Sequence, residues 1–154
     1  MTIRPYLKNE LFEGIVSWEE YLIMFNADVL DKFNTVLISI HDPNREVHPP
    51  EKVKGFVDVL QIRFWDVEDS IGNYNIIKPE QGAEIRQFIE EHKNLRFLVH
   101  CAAGVSRSAG VGMAIECICN YNGNVYEYHT SHSDIKSHNR YSPNYTVFDI
   151  IMNN

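Results

Sequence analysis

Apolar residues recur along the chain in two ways, as short runs suited to buried strands and as spaced stripes suited to helices, and the two alternate. Thr35 to Ile40, TVLISI, is a β-branched run closed by His41-Asp42-Pro43-Asn44, which has turn chemistry, so it reads as a central strand. Val59 to Phe64 and Leu95 to Val99 read as two further strands. Ser17-Trp18-Glu19-Glu20 fits a capping box, in which the Ser17 hydroxyl and the Glu20 carboxylate satisfy helix-start donors, and a helix through about Asn26 follows. Pro79 to His92 sets Ile85, Phe88, Ile89 and His92 on one helical face and Glu84, Arg86, Gln87, Glu90 and Glu91 on the other. Ala109 to Cys119 carries only Glu116 as a charge, which predicts a helix enclosed nearly all round. Gly110 and Gly112 each cost that helix ~1 kcal/mol against Ala and signal close packing on another backbone. Tyr121-Asn122-Gly123-Asn124 ends it. An irregular polar stretch follows, and Asn144 is placed to cap a terminal helix from Tyr145 to Met152.

Composition narrows the class of protein. With 154 residues, 44% hydrophobic and 23% charged, the chain has the makeup of a globular protein and the size of one domain, 1–154. A formal charge of −7 argues against nucleic-acid or anionic-membrane partners, whose binding needs a basic face. No apolar run reaches the length of a membrane span, and Arg4, Lys8 and Glu10 interrupt the start where a secretory signal needs its apolar stretch, so the expectation is cytoplasmic. Three cysteines, Cys101, Cys117 and Cys119, suit a reducing compartment.

The chemistry lies between the predicted strand ending at Val99 and the helix beginning at Ala109. The segment HCAAGVSRSAG, His100 to Gly110, sets a thiol and a guanidinium six positions apart across small residues. A strand-to-helix loop points free N–H groups and a partial positive charge outward. Ala102, Ala103, Gly104, Val105 and Ser106 let the backbone curl until those N–H groups face one anion, so this loop is read as a phosphate cradle. Thiols attack as thiolates, which helix N-termini and nearby cations favour, and both converge on Cys101. In this reading Cys101 attacks phosphorus to give a phosphocysteine, while Arg107 binds two equatorial oxygens with its planar fork. A leaving oxygen then needs a proton from a carboxylic acid. Asp66, Glu68 and Asp69 are the candidates, and Asp66 comes first after the strand, at the sheet edge where ligands gather in α/β folds.

The segment resembles the signature His-Cys-x-x-Gly-x-x-Arg-Ser/Thr of the cysteine-dependent protein tyrosine phosphatases, matched at His100, Cys101, Gly104, Arg107 and Ser108. The resemblance is to small dual-specificity phosphatases and extends in order and spacing from about Thr35 to Met152. It implies an α/β fold with a central mixed sheet flanked by helices and a strand-loop-helix phosphate site. It also implies an acid some thirty-odd residues before the cysteine, and Asp66 precedes Cys101 by 35. By the same resemblance Ser108 assists breakdown of the phosphocysteine, His100 orients the loop, and Asn144, in the pattern Asn139-Arg140...Pro143-Asn144, supports it. The implied substrates are phosphotyrosine proteins, with phosphoserine and phosphothreonine as further candidates, or small phosphomonoesters, and phosphate or another oxyanion in the loop. RNA 5′-triphosphatases and phosphoinositide phosphatases share the fold and stand as alternatives. Their loops add basic residues for extra phosphates, and Ala102, Ala103, Val105 and Ser106 supply none. A phosphate-binding module without turnover is the rival outside enzymology, opposed by the retention of Cys101, Arg107 and an acid. No cofactor and no metal are expected. His129, His132 and His138 share a polar segment but lack cysteines in ligand spacing, and read as solvated. Cys117 and Cys119, two apart on a helix, point in different directions and read as core.

Overall fold

The computed structural model describes residues 14–67, 76–131, 134–137 and 140–153. Four strands, β1 (Ile15–Ser17), β2 (Thr35–His41), β3 (Asp58–Arg63) and β4 (Arg96–Cys101), form one sheet in the order β1-β4-β2-β3. Among the described residues six α-helices accompany it: α1 (Trp18–Asn26), α2 (Pro79–Glu91), α3 (Arg107–Tyr121), α4 (Val125–Thr130), α5 (Asp134–Ser137) and α6 (Tyr145–Met152). The α/β expectation holds. The mixed sheet does not: every ladder among the described residues is parallel. The cause lies in the connections, since α1, residues 42–57 and the segment bearing α2 each carry the chain back to the edge where the previous strand began. All four strands therefore end on the same side, at Ser17, His41, Arg63 and Cys101.

Alternation along the strands divides the interior in two. Ile15, Val36, Ile38, Ile40, Ile62, Phe97, Val99 and Cys101 join the large core with α2, α3 and α6. Val16, Leu37 and Leu98 point to the other face and pack with Tyr21 and Phe25 of α1. The capping box forms as the sequence predicts, Glu20 N–H donating to Ser17 Oγ at 3.0 Å and Ser17 N–H to Glu20 Oε1 at 2.9 Å. Helix α3 is buried from Arg107 through Ile118, as the lone charge between Ala109 and Cys119 predicts, and Tyr128 Oη donates to Glu116 Oε1 at 2.7 Å. The pattern reading misses β1, α4 and α5. Strand β1 is only three residues long, and α4 occupies part of the stretch expected to be irregular, held by the buried Tyr128 and by Asn124, whose Oδ1 caps Glu127 N–H at 3.0 Å. No described helix is long and apolar enough to cross a membrane.

Asn144 caps α6 as expected, accepting from Val147 N–H at 3.2 Å. The segment entering this cap presses on α3 at Gly110, where an added Cβ would lie 2.5 Å from the Asn144 carbonyl oxygen and 3.1 Å from Val147 Cβ. Gly110→Ala is expected to destabilise the protein by about 1–3 kcal/mol, the usual cost of overpacking against an element that cannot retreat. Chemical denaturation checks this, and an unchanged midpoint contradicts the close approach.

Candidate active site

The loop from Cys101 to Arg107 leaves the carboxyl end of β4, between its neighbours β1 and β2, where ligands collect in open α/β sheets. Its curl is imposed from outside. Trp18 N–H donates to Ala102 O at 3.3 Å, Ser142 N–H to Val105 O at 3.1 Å, and Ser106 O accepts from both Gly110 N–H at 2.9 Å and Asn144 N–H at 3.0 Å. In a trans peptide the N–H points opposite the carbonyl, so these bonds turn the N–H groups of Ala103, Ser106 and Arg107 away from those partners. Gly104 takes a φ of +69° directly under β1, where a Cβ would lie 2.6 Å from Ser17 N and Val16 C. Only glycine fits that space, and its N–H donates to Cys101 Sγ at 3.3 Å.

Cys101 is buried and its Sγ lies 3.1 Å from Ser108 Oγ, on the first turn of α3. As a thiol the sulfur donates to that hydroxyl; as a thiolate it accepts from it. Arg107, 4% exposed, is held through one nitrogen: Nη1 donates to Phe64 O at 2.7 Å and to Asp42 Oδ1 at 2.8 Å. Its Nε is buried without a protein partner. That clamp fixes the guanidinium plane and leaves donor capacity for an anion in the loop.

Asp66 stands at the rim of the loop, exposed, with Oδ1 accepting from Ser106 Oγ at 2.7 Å and from Asn144 Nδ2 at 3.0 Å. Asn144 Nδ2 also reaches Val67 O at 3.2 Å, so one side chain caps α6 and ties the Asp66 segment to the loop. Glu68 and Asp69, the rival acids, lie outside the described residues, as do His132, His138 and Asn139. Beside Ala102 a groove opens, lined by Trp18, Glu19, Ile40, His41, Asp42 and Arg45. Cys117 is buried and Cys119 half-buried, and burial pushes their thiols up to about 11 and about 12, so neither competes as a nucleophile.

The reading from sequence named His100 as orienting the loop but overlooked His41 and His48, which join it beneath the loop. His41, His48 and His100, all buried, bring ring nitrogens within 4.8 Å of one another, with Tyr21 stacked on His100 at 4.9 Å between ring centroids and 5.1 Å from His48. Burial pulls all three below the ordinary imidazole range, His48 to about 4 and His100 well below 6.5. Their spacing invites a cation, but His41 Nε2 already faces an acceptor, Gln61 Oε1, at 3.0 Å, and the guanidiniums of Arg63 and Arg107 bear on the cluster with like charge. The signal available in sequence was polarity inside apolar strands, at Ser39, His41, Gln61 and His100.

No family model and no curated protein matches the chain. Solved structures do. Tk-PTP in its active form aligns with a TM-score of 0.54 at 20% identity, covering 90% of this chain and 86% of that one. PTPMT1 aligns with 0.54 at 19% identity over 91% and 85%, and its complex with PI(5)P with 0.54 at 17% over 85% and 82%. A human tyrosine phosphatase-like serine/threonine/tyrosine-interacting protein aligns with 0.51 at 15% over 98% and 87%. The chain thus has the fold of the cysteine-dependent tyrosine phosphatases, with the strand-loop-helix signature at the place the resemblance requires.

The depressed histidines predict how stability responds to acid. Between pH 6.5 and about 4 the unfolded chain takes up protons at His48 that the folded one refuses, so stability is full above 6.5 and falls as pH drops through this window. His48 alone accounts for a loss on the order of 3 kcal/mol, and His41 and His100 add in the same direction. Urea denaturation at pH 7 and pH 4.5 checks this: His48→Gln reduces the difference, and equal stability at both pH values contradicts neutral burial of the cluster.

Proposed function

We propose that the chain is a phosphomonoester hydrolase that works through a phosphocysteine intermediate, with phosphotyrosine in proteins as its substrate class. The observation that carries the proposal is the convergence on one loop of the Cys101 sulfur, the clamped Arg107 with its unsatisfied Nε, and the Asp66 carboxyl tethered to Ser106. Phosphate in the loop meets the inward N–H groups and the Arg107 fork, donors set in place before the reaction for the charge on the equatorial oxygens. Cys101 Sγ attacks phosphorus as the bond to the leaving oxygen breaks, and protonated Asp66 gives that oxygen its proton. The Asp66 carboxylate then takes a proton from water, whose oxygen attacks phosphorus. The thiolate departs onto the Ser108 hydroxyl, and inorganic phosphate and the starting enzyme remain.

The groove beside Ala102 offers the exposed Trp18 indole to an aryl ring, and Glu19, Asp42 and Arg45 also line it. Acidic residues there favour a single phosphate over a polyanion. A phosphoinositide is the second reading, drawn from the likeness to PTPMT1 in its complex with PI(5)P. A reactive thiol suits the reducing cytoplasm, where we place the protein.

Cys101→Ser is expected to abolish hydrolysis of an aryl phosphate while still binding vanadate, and hydrolysis at the wild-type rate overturns the proposal. Phosphotyrosine peptides should be hydrolysed faster than PI(5)P in detergent micelles, and the reverse order selects the second reading. Asp66→Asn should slow esters with poor leaving groups far more than those with good ones and flatten the alkaline limb of kcat/KM. An Asp66→Asn enzyme that keeps both features moves the acid to the neighbouring carboxylates.

A further inference from the structure

Three polar side chains occupy one level of the sheet and a fourth the next, on the face that packs against α1. The ladders set Ser39 opposite His100 on one side and opposite Gln61 on the other, and His41 follows two positions along the same strand face. Leu37, Leu98 and Tyr21 surround this row with apolar atoms, so its protons have few places to go.

Their positions follow from the backbone. A main-chain N–H only donates and a carbonyl only accepts. His48 N–H donates to Gln61 Oε1 at 2.8 Å, and Gln61 Nε2 donates to His48 O at 3.0 Å, which fixes the orientation of the amide. Gln61 Oε1 then faces His41 Nε2 at 3.0 Å and can only accept, so that ring nitrogen carries a proton. Ser39 Oγ, 2.7 Å from the same nitrogen, accepts from it and directs its own proton to His100 Nε2, 2.6 Å away. His48 Nε2 faces that nitrogen too, at 3.0 Å. His100 Nε2 is thus an acceptor. Burial keeps the ring neutral, which leaves its one proton on Nδ1, a buried atom with no hydrogen bond of good geometry. His100 is joined to Cys101 by a single peptide bond, so the setting of its ring bears directly on that peptide. A buried donor held without a good partner costs free energy, and the row is what imposes it.

We propose that Gln61, His41 and Ser39 are positioning residues that lock His100 in its Nδ1–H tautomer and thereby set the Cys101 peptide, and with it the sulfur, for attack. The proposal rests on Cys101 being the nucleophile. The groups facing His100 are His41 on β2, His48 after it, Tyr21 on α1 and Arg107 on α3. None of them donates to His100 Nε2 with the reach of Ser39. Without the Ser39 hydroxyl the ring gains by turning its proton to Nε2 and donating to His48.

Long-range ¹H–¹⁵N correlation of the imidazoles reads the tautomer directly. In the wild type His100 is expected protonated at Nδ1 and bare at Nε2, and Ser39→Ala and Gln61→Met are expected to move the proton to Nε2. In both variants kcat falls roughly tenfold, about the worth of one hydrogen bond, and alkylation of Cys101 by iodoacetamide requires a higher pH. Vanadate affinity holds, since Arg107 and the loop N–H groups are untouched, and Ser39→Thr, which keeps the hydroxyl, restores the wild-type tautomer. Gln61 is only half-buried, so its variant keeps the test alive where Ser39→Ala fails to fold. His100 protonated at Nε2 in the wild type overturns the proposal, as does a tautomer shift that leaves alkylation unchanged. Tautomer and alkylation are measured without turnover, so they stand apart from any failure of the phosphatase reading.

Discussion

The site depends on a loop three of whose carbonyl groups are bonded to elements outside its curl. Ala102, Val105 and Ser106 give their oxygens to Trp18, Ser142, Asn144 and Gly110, which belong to α1, the segment before α6, and α3. Each of those bonds turns a peptide plane, and together they leave the opposite N–H groups aimed inward. That arrangement of N–H groups owes nothing to a charged side chain between Ala102 and Ser106. The bonds also explain why so small a motif needs a whole fold around it, because the donors come from residues before and well after it in the chain.

Two further constraints tie the loop to the rest of the structure. Gly104 lies against β1 so closely that a methyl group would overlap Ser17 N, and Gly110 lies as closely against Asn144. Asn144 then serves three partners, capping α6, reaching Val67 and reaching Asp66, so packing of the terminal helix sets the height of the Asp66 carboxyl above the loop. Arg107 is fixed from the other side by Asp42 and Phe64, which follow β2 and β3. The carboxyl ends of all four strands thus contribute a contact to the loop or its arginine, and a parallel sheet is what brings them to one side.

What the sequence revealed was local. The run Thr35 to Ile40, the capping box at Ser17 and the terminal helix from Tyr145 to Met152 stand where local patterning places them, because each is decided by neighbours a few residues away. The loop from Cys101 to Arg107 was legible for the same reason, as a contiguous motif. The meeting of Asp66 with Ser106 and Asn144 spans 40 and 78 positions, and only the folded chain shows it. Parallel pairing was hidden because it is set by crossovers rather than by strand composition. The histidine row was hidden because His41 and His100 stand at strand ends, where turn chemistry and the motif each offered a sufficient account of them. Ser39 was the clue, a hydroxyl at 0% exposure in the middle of an aliphatic strand.

The central claim is that phosphorus becomes bonded to Cys101 during turnover. Mixing the enzyme with an aryl phosphate, quenching in acid within one turnover and sequencing the peptides by mass spectrometry tests it directly. The account predicts one added phosphoryl group on the peptide carrying Cys101, absent in Cys101→Ser and longer-lived in Asp66→Asn, whose missing carboxylate would have activated the water. Rapid hydrolysis with no phosphoryl group on Cys101 at any quench time, or with the group on another side chain, would contradict it.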